Sequence, residues 1–127
     1  MKIDHIAVYV YDLEKAKAFY EMYFNGKSNK RYHNPKTGLK TYFLSFEGEC
    51  RLEIMEKPNL PAIERSIEHM GYTHLAFRVG SKESVDRLTD QLRNGGYTVF
   101  SEPRMTGDGY YESCVSDPDG NRIEIVA

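Results

Sequence analysis

The sequence has no tryptophan, only two cysteines, and no apolar run near the roughly 20 residues that span a bilayer. Cys50 and Cys114 lie 64 residues apart (114 − 50 = 64), which excludes a Cys-x-x-Cys zinc ribbon or a thioredoxin-type site. The N-terminal segment also lacks the apolar core of a signal peptide. We therefore expect a cytoplasmic protein with reduced, mostly buried thiols and no membrane partner.

An excess of charge of one sign is also missing. The 17 lysines and arginines and the 19 acidic residues leave a formal charge of -2 at pH 7. The basic residues are scattered, and their one cluster, at Lys27, Lys30 and Arg31, is typical of a solvated loop or an edge strand. No basic stripe is present, so we expect no nucleic-acid partner.

Two short segments of the chain share one pattern. Residues Asp4–Val10 read DHIAVYV and residues Thr73–Val79 read THLAFRV, so the two histidines lie 69 residues apart (74 − 5 = 69). A candidate helix N-cap, Asp12 or Ser81, follows each copy, and apolar residues at helical spacing then run to an Asn-Gly stop. The recurrence predicts a duplicated module.

Three strand-like segments follow each helical pattern. They lie near residues 28–34, 40–47 and 50–56 in the first half, and near 97–101, 109–116 and 121–126 in the second. The sequence therefore predicts an α+β fold of two βαβββ modules, 1–57 and 72–127, in a single domain of residues 1–127. A linker over 58–71 would join the modules, with a short helix over 62–70.

We expect the eight strands to form one curved, mostly antiparallel sheet with the helices on the outside. Helices 12–24 and 81–94 should cover the apolar faces of the first strand of each module, which Ile6, Val8, Leu75 and Phe77 form.

The opposite faces of four strand segments each carry one histidine or glutamate near the middle, because side chains alternate with period two. These residues are His5, Glu53, His74 and Glu124. Solvation of these faces is one interpretation, since antiparallel sheets are often wet on one side. The recurrence of one His and one Glu per module favours a metal site instead, and mixed imidazole and carboxylate ligands suit Zn²⁺, Ni²⁺, Co²⁺, Mn²⁺ or Fe²⁺. We expect one of the first four metals before Fe²⁺.

Three arginines, Arg51, Arg78 and Arg122, share faces with these four residues. They can either bind an anionic substrate or lie in solvent. Ala7 and Ala76, two residues after each histidine, are small enough to leave room for a cavity.

Several of these motifs resemble the vicinal oxygen chelate superfamily, which includes glyoxalase I, fosfomycin and bleomycin resistance proteins and extradiol dioxygenases. They are the two repeats, the DLEKA and FY that follow the first repeat, and the closing segment DPDGNRIEI at 117–125. The resemblance is closest to glyoxalase I-like proteins and covers nearly the whole chain. It implies that His5, Glu53, His74 and Glu124 bind one divalent metal ion, in the chain order of bacterial glyoxalase I.

The resemblance also implies a function. A small oxygenated compound would bind the metal, Glu124 or Glu53 would move a proton as the catalytic base, and the protein would be a homodimer, with each site formed by one chain or two. This is lyase or isomerase chemistry. The alternatives are an antibiotic-resistance protein of fosfomycin or bleomycin type and an extradiol-type dioxygenase.

The sequence departs from glutathione-binding members at two places. Tyr9 stands near the position of an arginine in those members, and the loop at 103–111 has no lysine but contains Asp108, which would repel a carboxylate, and Arg104. These differences count against glutathione as the substrate.

Overall fold

The computed structural model of the chain describes residues 1–62, 64 and 70–127. The chain divides into two compact units, Met1–Ile63 and Glu64–Ala127, and each unit contains one copy of the repeat. The helix predicted over 62–70 falls mostly outside the described residues. In the part of the chain that is described, no helix is long and apolar enough to cross a membrane.

Each unit contains one helix and a set of strands. The first contains β1 (His5–Tyr9), α1 (Leu13–Phe24), β2 (Lys27–Ser28), β3 (Tyr32–His33), β4 (Lys40–Ser45) and β5 (Arg51–Glu56). The second contains β6 (His74–Arg78), α2 (Lys82–Asn94), β7 (Val99–Met105), β8 (Tyr111–Ser116) and β9 (Arg122–Val126).

The strand order is the same in both units. It is β1-β5-β4-β2, with β3 also on β4, in the first unit and β6-β9-β8-β7 in the second. Only the pairs β1/β5 and β6/β9 are parallel, and every other pair is antiparallel. The two predicted βαβββ modules are therefore confirmed. The strands form two hydrogen-bonded sheets, one per module, and not one eight-stranded sheet, because the first strand of each module pairs with the last strand of that same module.

The predicted strand at 28–34 is two short strands, which raises the number of strands from eight to nine. β2 and β3 both pair with β4, and Asn29 lies directly after β2. The Asn29 N–H donates to the Phe43 carbonyl at 3.0 Å, and its side-chain oxygen accepts from the Phe43 N–H at 2.9 Å. The Asn29 side-chain oxygen thus accepts the hydrogen bond that a backbone carbonyl would accept in a regular ladder, and β2 ends just before this residue.

The two helices begin where the sequence predicts. The Asp12 side chain accepts from the Lys15 N–H and the Ser81 side chain from the Ser84 N–H, so each N-cap satisfies a free amide of the first turn. α1 packs mainly on β4 and β5, and α2 on β7, β8 and β9. The helices lie on the predicted sheet face, because Ile6 and Val8 are level with the buried Leu52 and Ile54, and Leu75 and Phe77 with the buried Ile123 and Ile125. They pack mainly over the inner strands, and the residues of β1 and β6 on that face are only half-buried because these strands are at the sheet edges.

The turn between β8 and β9 is held by one buried side chain. The Asp117 carboxylate accepts from the Asp119 N–H at 2.9 Å, the Asn121 N–H at 2.8 Å and the Asn121 side-chain amide at 2.7 Å. Gly120 closes the turn with φ 83°, a value that favours glycine. This turn fixes the β8–β9 register and hence the position of Glu124.

Candidate metal centre

The predicted ligands lie on the parallel strand pair of each module. In the register of these pairs His5 is opposite Arg51 and Ala7 is opposite Glu53, and the second module repeats the arrangement with His74 and Arg122. Ala76 is likewise opposite Glu124. Because the alanine side chain is short, the glutamate can reach diagonally across it towards the histidine.

Each histidine faces the glutamate of its own module. His5 Nε2 lies 3.9 Å from Glu53 Oε2, and His74 Nε2 lies 3.1 Å from Glu124 Oε2. The glutamate side chains are the more buried partners, at 16% and 22% exposed. An imidazole nitrogen and a carboxylate oxygen are both donor types that a divalent cation accepts.

Two other glutamates near Glu53 have different partners. Glu49 pairs with the Lys2 ammonium at 2.9 Å in solvent. Glu56 accepts from the Lys40 ammonium at 2.8 Å and from the Leu13 N–H at the start of α1 at 3.0 Å, and these bonds hold its pKa below the ordinary value. Of these three carboxylates, Glu53 is the one whose contact with His5 the structure records.

The Asp4 carboxylate, which was not predicted from the sequence to be part of the site, contacts the His5 ring nitrogen that does not face Glu53. Asp4 Oδ2 lies 2.8 Å from His5 Nδ1 and accepts from Arg51 Nη2 at 2.7 Å. The hydrogen bonds from His5 and then Arg51 lower the Asp4 pKa, so the carboxylate is ionised and accepts only. Because the carboxylate only accepts, His5 Nδ1 donates in this bond, and Nε2 is the ring nitrogen that faces Glu53.

In the second module Thr73 occupies the position of Asp4, and among the described residues no carboxylate lies within 4.0 Å of His74 except Glu124. This module has two other groups that sequence reasoning missed, Glu112 and Cys114, on the strand beside Glu124. Cys114 is directly opposite Glu124 in the ladder. Burial, followed by the Glu124 charge, raises the pKa of Glu112, and burial raises the pKa of the Cys114 thiol. The sequence contains a signal for both residues: period-two alternation in the hairpin closed by the Asp117 turn places Cys114 and Glu112 on the same sheet face as Glu124.

The four predicted ligands are brought together as two His–Glu pairs, one in each module. Within residues 1–62, 64 and 70–127, no group of three or more His, Cys, Asp or Glu side chains is placed to hold a metal ion. The donor types fit a borderline divalent cation, since each pair offers one imidazole and one carboxylate. The four-residue site itself stays a prediction.

The cysteines differ in burial. Both are free thiols; Cys114 is buried as expected, whereas Cys50 is exposed next to the β4–β5 turn. The segment 103–111, predicted as a loop, is strand β7 as far as Met105. Arg104 in this strand contacts the Ser101 hydroxyl and lies 4.0 Å from the Glu112 carboxylate, so it already has a carboxylate partner. Asp108, in the turn that follows, accepts from the Thr106 hydroxyl at 2.6 Å.

Comparison with known proteins gives a consistent result along the chain. The model of the Glyoxalase/Bleomycin resistance protein/Dioxygenase superfamily matches residues 2–125. The protein YqjT of Bacillus subtilis is 30% identical over 97% of this chain and 96% of its own length. The lactoylglutathione lyase of Salmonella typhimurium is 25% identical, over 99% and 92%.

Two further similarities concern a transferase and a solved structure. The metallothiol transferase FosB of Lysinibacillus sphaericus is 28% identical over 97% of this chain and 79% of its own length. The crystal structure of a glyoxalase family protein from Enterococcus faecalis matches with a TM-score of 0.81 and 26% identity, covering 99% of this chain and 97% of that one.

Proposed function

Because this chain belongs to the Glyoxalase/Bleomycin resistance protein/Dioxygenase superfamily, we propose that it is a metal-dependent lyase or isomerase of glyoxalase I type. Its substrate is a small oxygenated compound. The observation that carries the proposal is the repeated pair: each module places one histidine Nε2 against one glutamate Oε2, at 3.9 Å and 3.1 Å. A face that only contacts solvent gives no reason for the same pair to occur twice.

His5, Glu53, His74 and Glu124 are the residues that would hold the cation, either within one chain or across a homodimer. Bound there, a divalent metal ion supplies Lewis-acid stabilisation of negative charge on a substrate oxygen. Imidazole and carboxylate donors suit Zn²⁺, Ni²⁺, Co²⁺ and Mn²⁺, and the four-residue set of glyoxalase I type is the reason to place these metals before Fe²⁺.

Glu124 and Glu53 are the proposed proton carriers. Each carboxylate is largely buried beside a histidine, so it is partly shielded from bulk water. A carboxylate in that position can accept a proton from one carbon and return it to the neighbouring carbon. His5, whose ring Asp4 orients, is the better fixed of the two histidines.

The test combines metal analysis with turnover. Purified protein is titrated with Zn²⁺, Ni²⁺, Co²⁺ and Mn²⁺, and the loaded forms are assayed with methylglyoxal and a series of thiols. We expect metal binding and turnover with a thiol other than glutathione. Absence of turnover with every thiol would remove glyoxalase I activity proper, and failure of the parent protein to bind any of the four metals would remove the metal site as well.

A second candidate is a resistance-type transferase, which the similarity to the metallothiol transferase FosB favours. A site of the fosfomycin-modifying type needs two histidines and one glutamate, so Glu53 would then be surplus. The variant Glu53→Gln separates the two functions. A large loss of metal affinity supports the four-ligand lyase, whereas unchanged affinity together with fosfomycin modification supports the transferase.

A further inference from the structure

The structure distinguishes the three arginines that share faces with the proposed ligands. Arg51 donates to the Asp4 carboxylate at 2.7 Å and lies over the Phe43 ring at 4.6 Å. Arg78 donates to the carbonyl oxygen of Ala127. Both guanidinium groups therefore already have an oxygen partner.

Arg122 occupies the same position in the second module as Arg51 in the first. It is opposite His74 in the ladder, as Arg51 is opposite His5, and it lies over the Phe100 ring at 4.6 Å. Burial raises the pKa of the Cys114 thiol, and the nearby Arg122 guanidinium opposes part of that rise. In the described part of the chain no carboxylate lies within 4.0 Å of the Arg122 guanidinium, and the side chain is half-buried.

A half-buried guanidinium without an oxyanion partner is well suited to bind one. The group stays charged at all physiological pH values, and its planar set of donors matches a carboxylate or a phosphate. The Phe100 ring under the guanidinium restricts the arginine side chain, so less conformational freedom is lost when an anion binds.

The acidic groups of this face lie along the strand from Arg122. Glu124 is two residues further, about 6.6 Å at the usual rise of a strand, and Glu112 is opposite Val126, so it is displaced by about 13 Å. An anion next to Arg122 and His74 therefore lies at the end of β9 away from Glu112, while the Asp117 carboxylate of the preceding turn is already held by three N–H donors.

We propose that Arg122 binds an acidic group, a carboxylate or a phosphate, on the substrate of this site. This inference rests on the proposed function and adds the class of substrate. The substrate is a small oxygenated acid whose charged end contacts Arg122 while its oxygens lie towards His74 and Glu124. Arg51 does not have this role, because Asp4 already pairs with it.

The test uses metal-free protein, so it does not depend on turnover or on the metal site. The arginine Nε–H resonances of ¹⁵N-labelled protein are followed while inorganic phosphate, or in a separate arm glycolate, is added at constant ionic strength. We expect a saturable shift at Arg122 with at least one anion and a dissociation constant at least tenfold weaker in Arg122→Gln. The arm that gives the tighter binding distinguishes phosphate from carboxylate.

Matched variants remove the anion site without altering Arg122. Thr73→Asp gives the second module the acidic residue of the first, and it should abolish anion binding, whereas Thr73→Asn should retain it. Asp4→Thr makes the reverse change and should produce a new saturable shift at Arg51. Equal shifts at Arg51 and Arg122 in the parent, shifts that do not saturate, or unchanged binding in Thr73→Asp would overturn the inference. A parent that binds the anion but none of the four metals would refute the proposed function and leave the anion site standing.

Discussion

The two modules share a backbone plan but surround their His–Glu pairs differently. In the first module Asp4 and Arg51 hold His5 by Nδ1, and Nε2 lies 3.9 Å from Glu53. In the second, Thr73 replaces Asp4, and His74 Nε2 lies closer to its glutamate, at 3.1 Å. The two modules thus share the strand register and the sheet face that carries each His–Glu pair. The side chains next to the pairs differ, so each histidine has different hydrogen-bond partners.

The largest expected effect tests whether the two pairs form one site. His5→Ala and His74→Ala should each weaken metal binding by more than about 100-fold, since loss of a ligand costs more than loss of a residue that only supports one. His33→Ala, on the exposed strand β3, is the matched control and should bind metal as the parent does. Isothermal titration with Zn²⁺ and elemental analysis measure this. Parent-like binding by either ligand variant would show that the site is wrong.

The next effect concerns the turns that precede the closing strands. Asp117→Ala should lower the free energy of unfolding by about 3 kcal/mol, because it leaves the three hydrogen-bond donors around a buried carboxylate without their acceptor. Glu47→Ala in the corresponding exposed turn of the first module should change it by less than about 0.5 kcal/mol. Urea denaturation compares the two variants, and equal losses would contradict the difference between the turns.

A smaller effect separates the two histidines. Asp4→Ala should weaken metal binding by about tenfold, the lower end of the range for removal of a group that orients a ligand, because Asp4 is solvent-exposed. Thr73→Ala should leave metal binding nearly unchanged. Imidazole ¹⁵N spectra of the metal-free proteins give an independent measurement: His5 should be protonated at Nδ1 in the parent and a mixture of tautomers in Asp4→Ala. An unchanged His5 spectrum would rule out the role of Asp4.

The smallest effect is an opposite pH dependence of two carboxylates. The Glu56 pKa is lowered below its ordinary value of 4.5, chiefly by the hydrogen bond from Lys40, so its contribution to stability is present above pH 4.5 and is lost as the pH falls through the lowered pKa. The Glu112 pKa is raised above 4.5, chiefly by burial, so its cost is present above the raised pKa and disappears as the pH falls towards 4.5.

These two shifts give opposite predictions for the glutamine variants. At pH 7 Glu56→Gln should be slightly less stable than the parent and Glu112→Gln slightly more stable, each by less than about 1 kcal/mol because water screens both groups. Both differences should shrink in acid. Thermal unfolding between pH 3 and pH 7 measures them, and a difference that grows as the pH falls would contradict the assignment.

Much of the architecture could be predicted because local signals agreed. Asp12 and Ser81 marked the helix starts, and the Asp-Pro-Asp-Gly turn placed the closing strand. The segment at 28–34 was mispredicted as one strand because nothing local reveals that the Asn29 side chain bonds to the Phe43 N–H, a contact across 14 residues. Helix cover was predicted on the correct sheet face, but periodicity within one strand does not reveal which strands of that face lie directly under the helix.

The sequence by itself determined the duplicated module, the face on which His5, Glu53, His74 and Glu124 lie, and the type of ligand they offer, because these follow from period-two alternation and side-chain chemistry. Only the tertiary structure decided which partner each group has. It paired Glu56 with Lys40 and α1, placed Asp4 between His5 and Arg51, and set Glu112 and Cys114 beside Glu124. Such contacts depend on strand register and on distances of a few ångströms between residues far apart in the chain, which alternation within one strand does not specify.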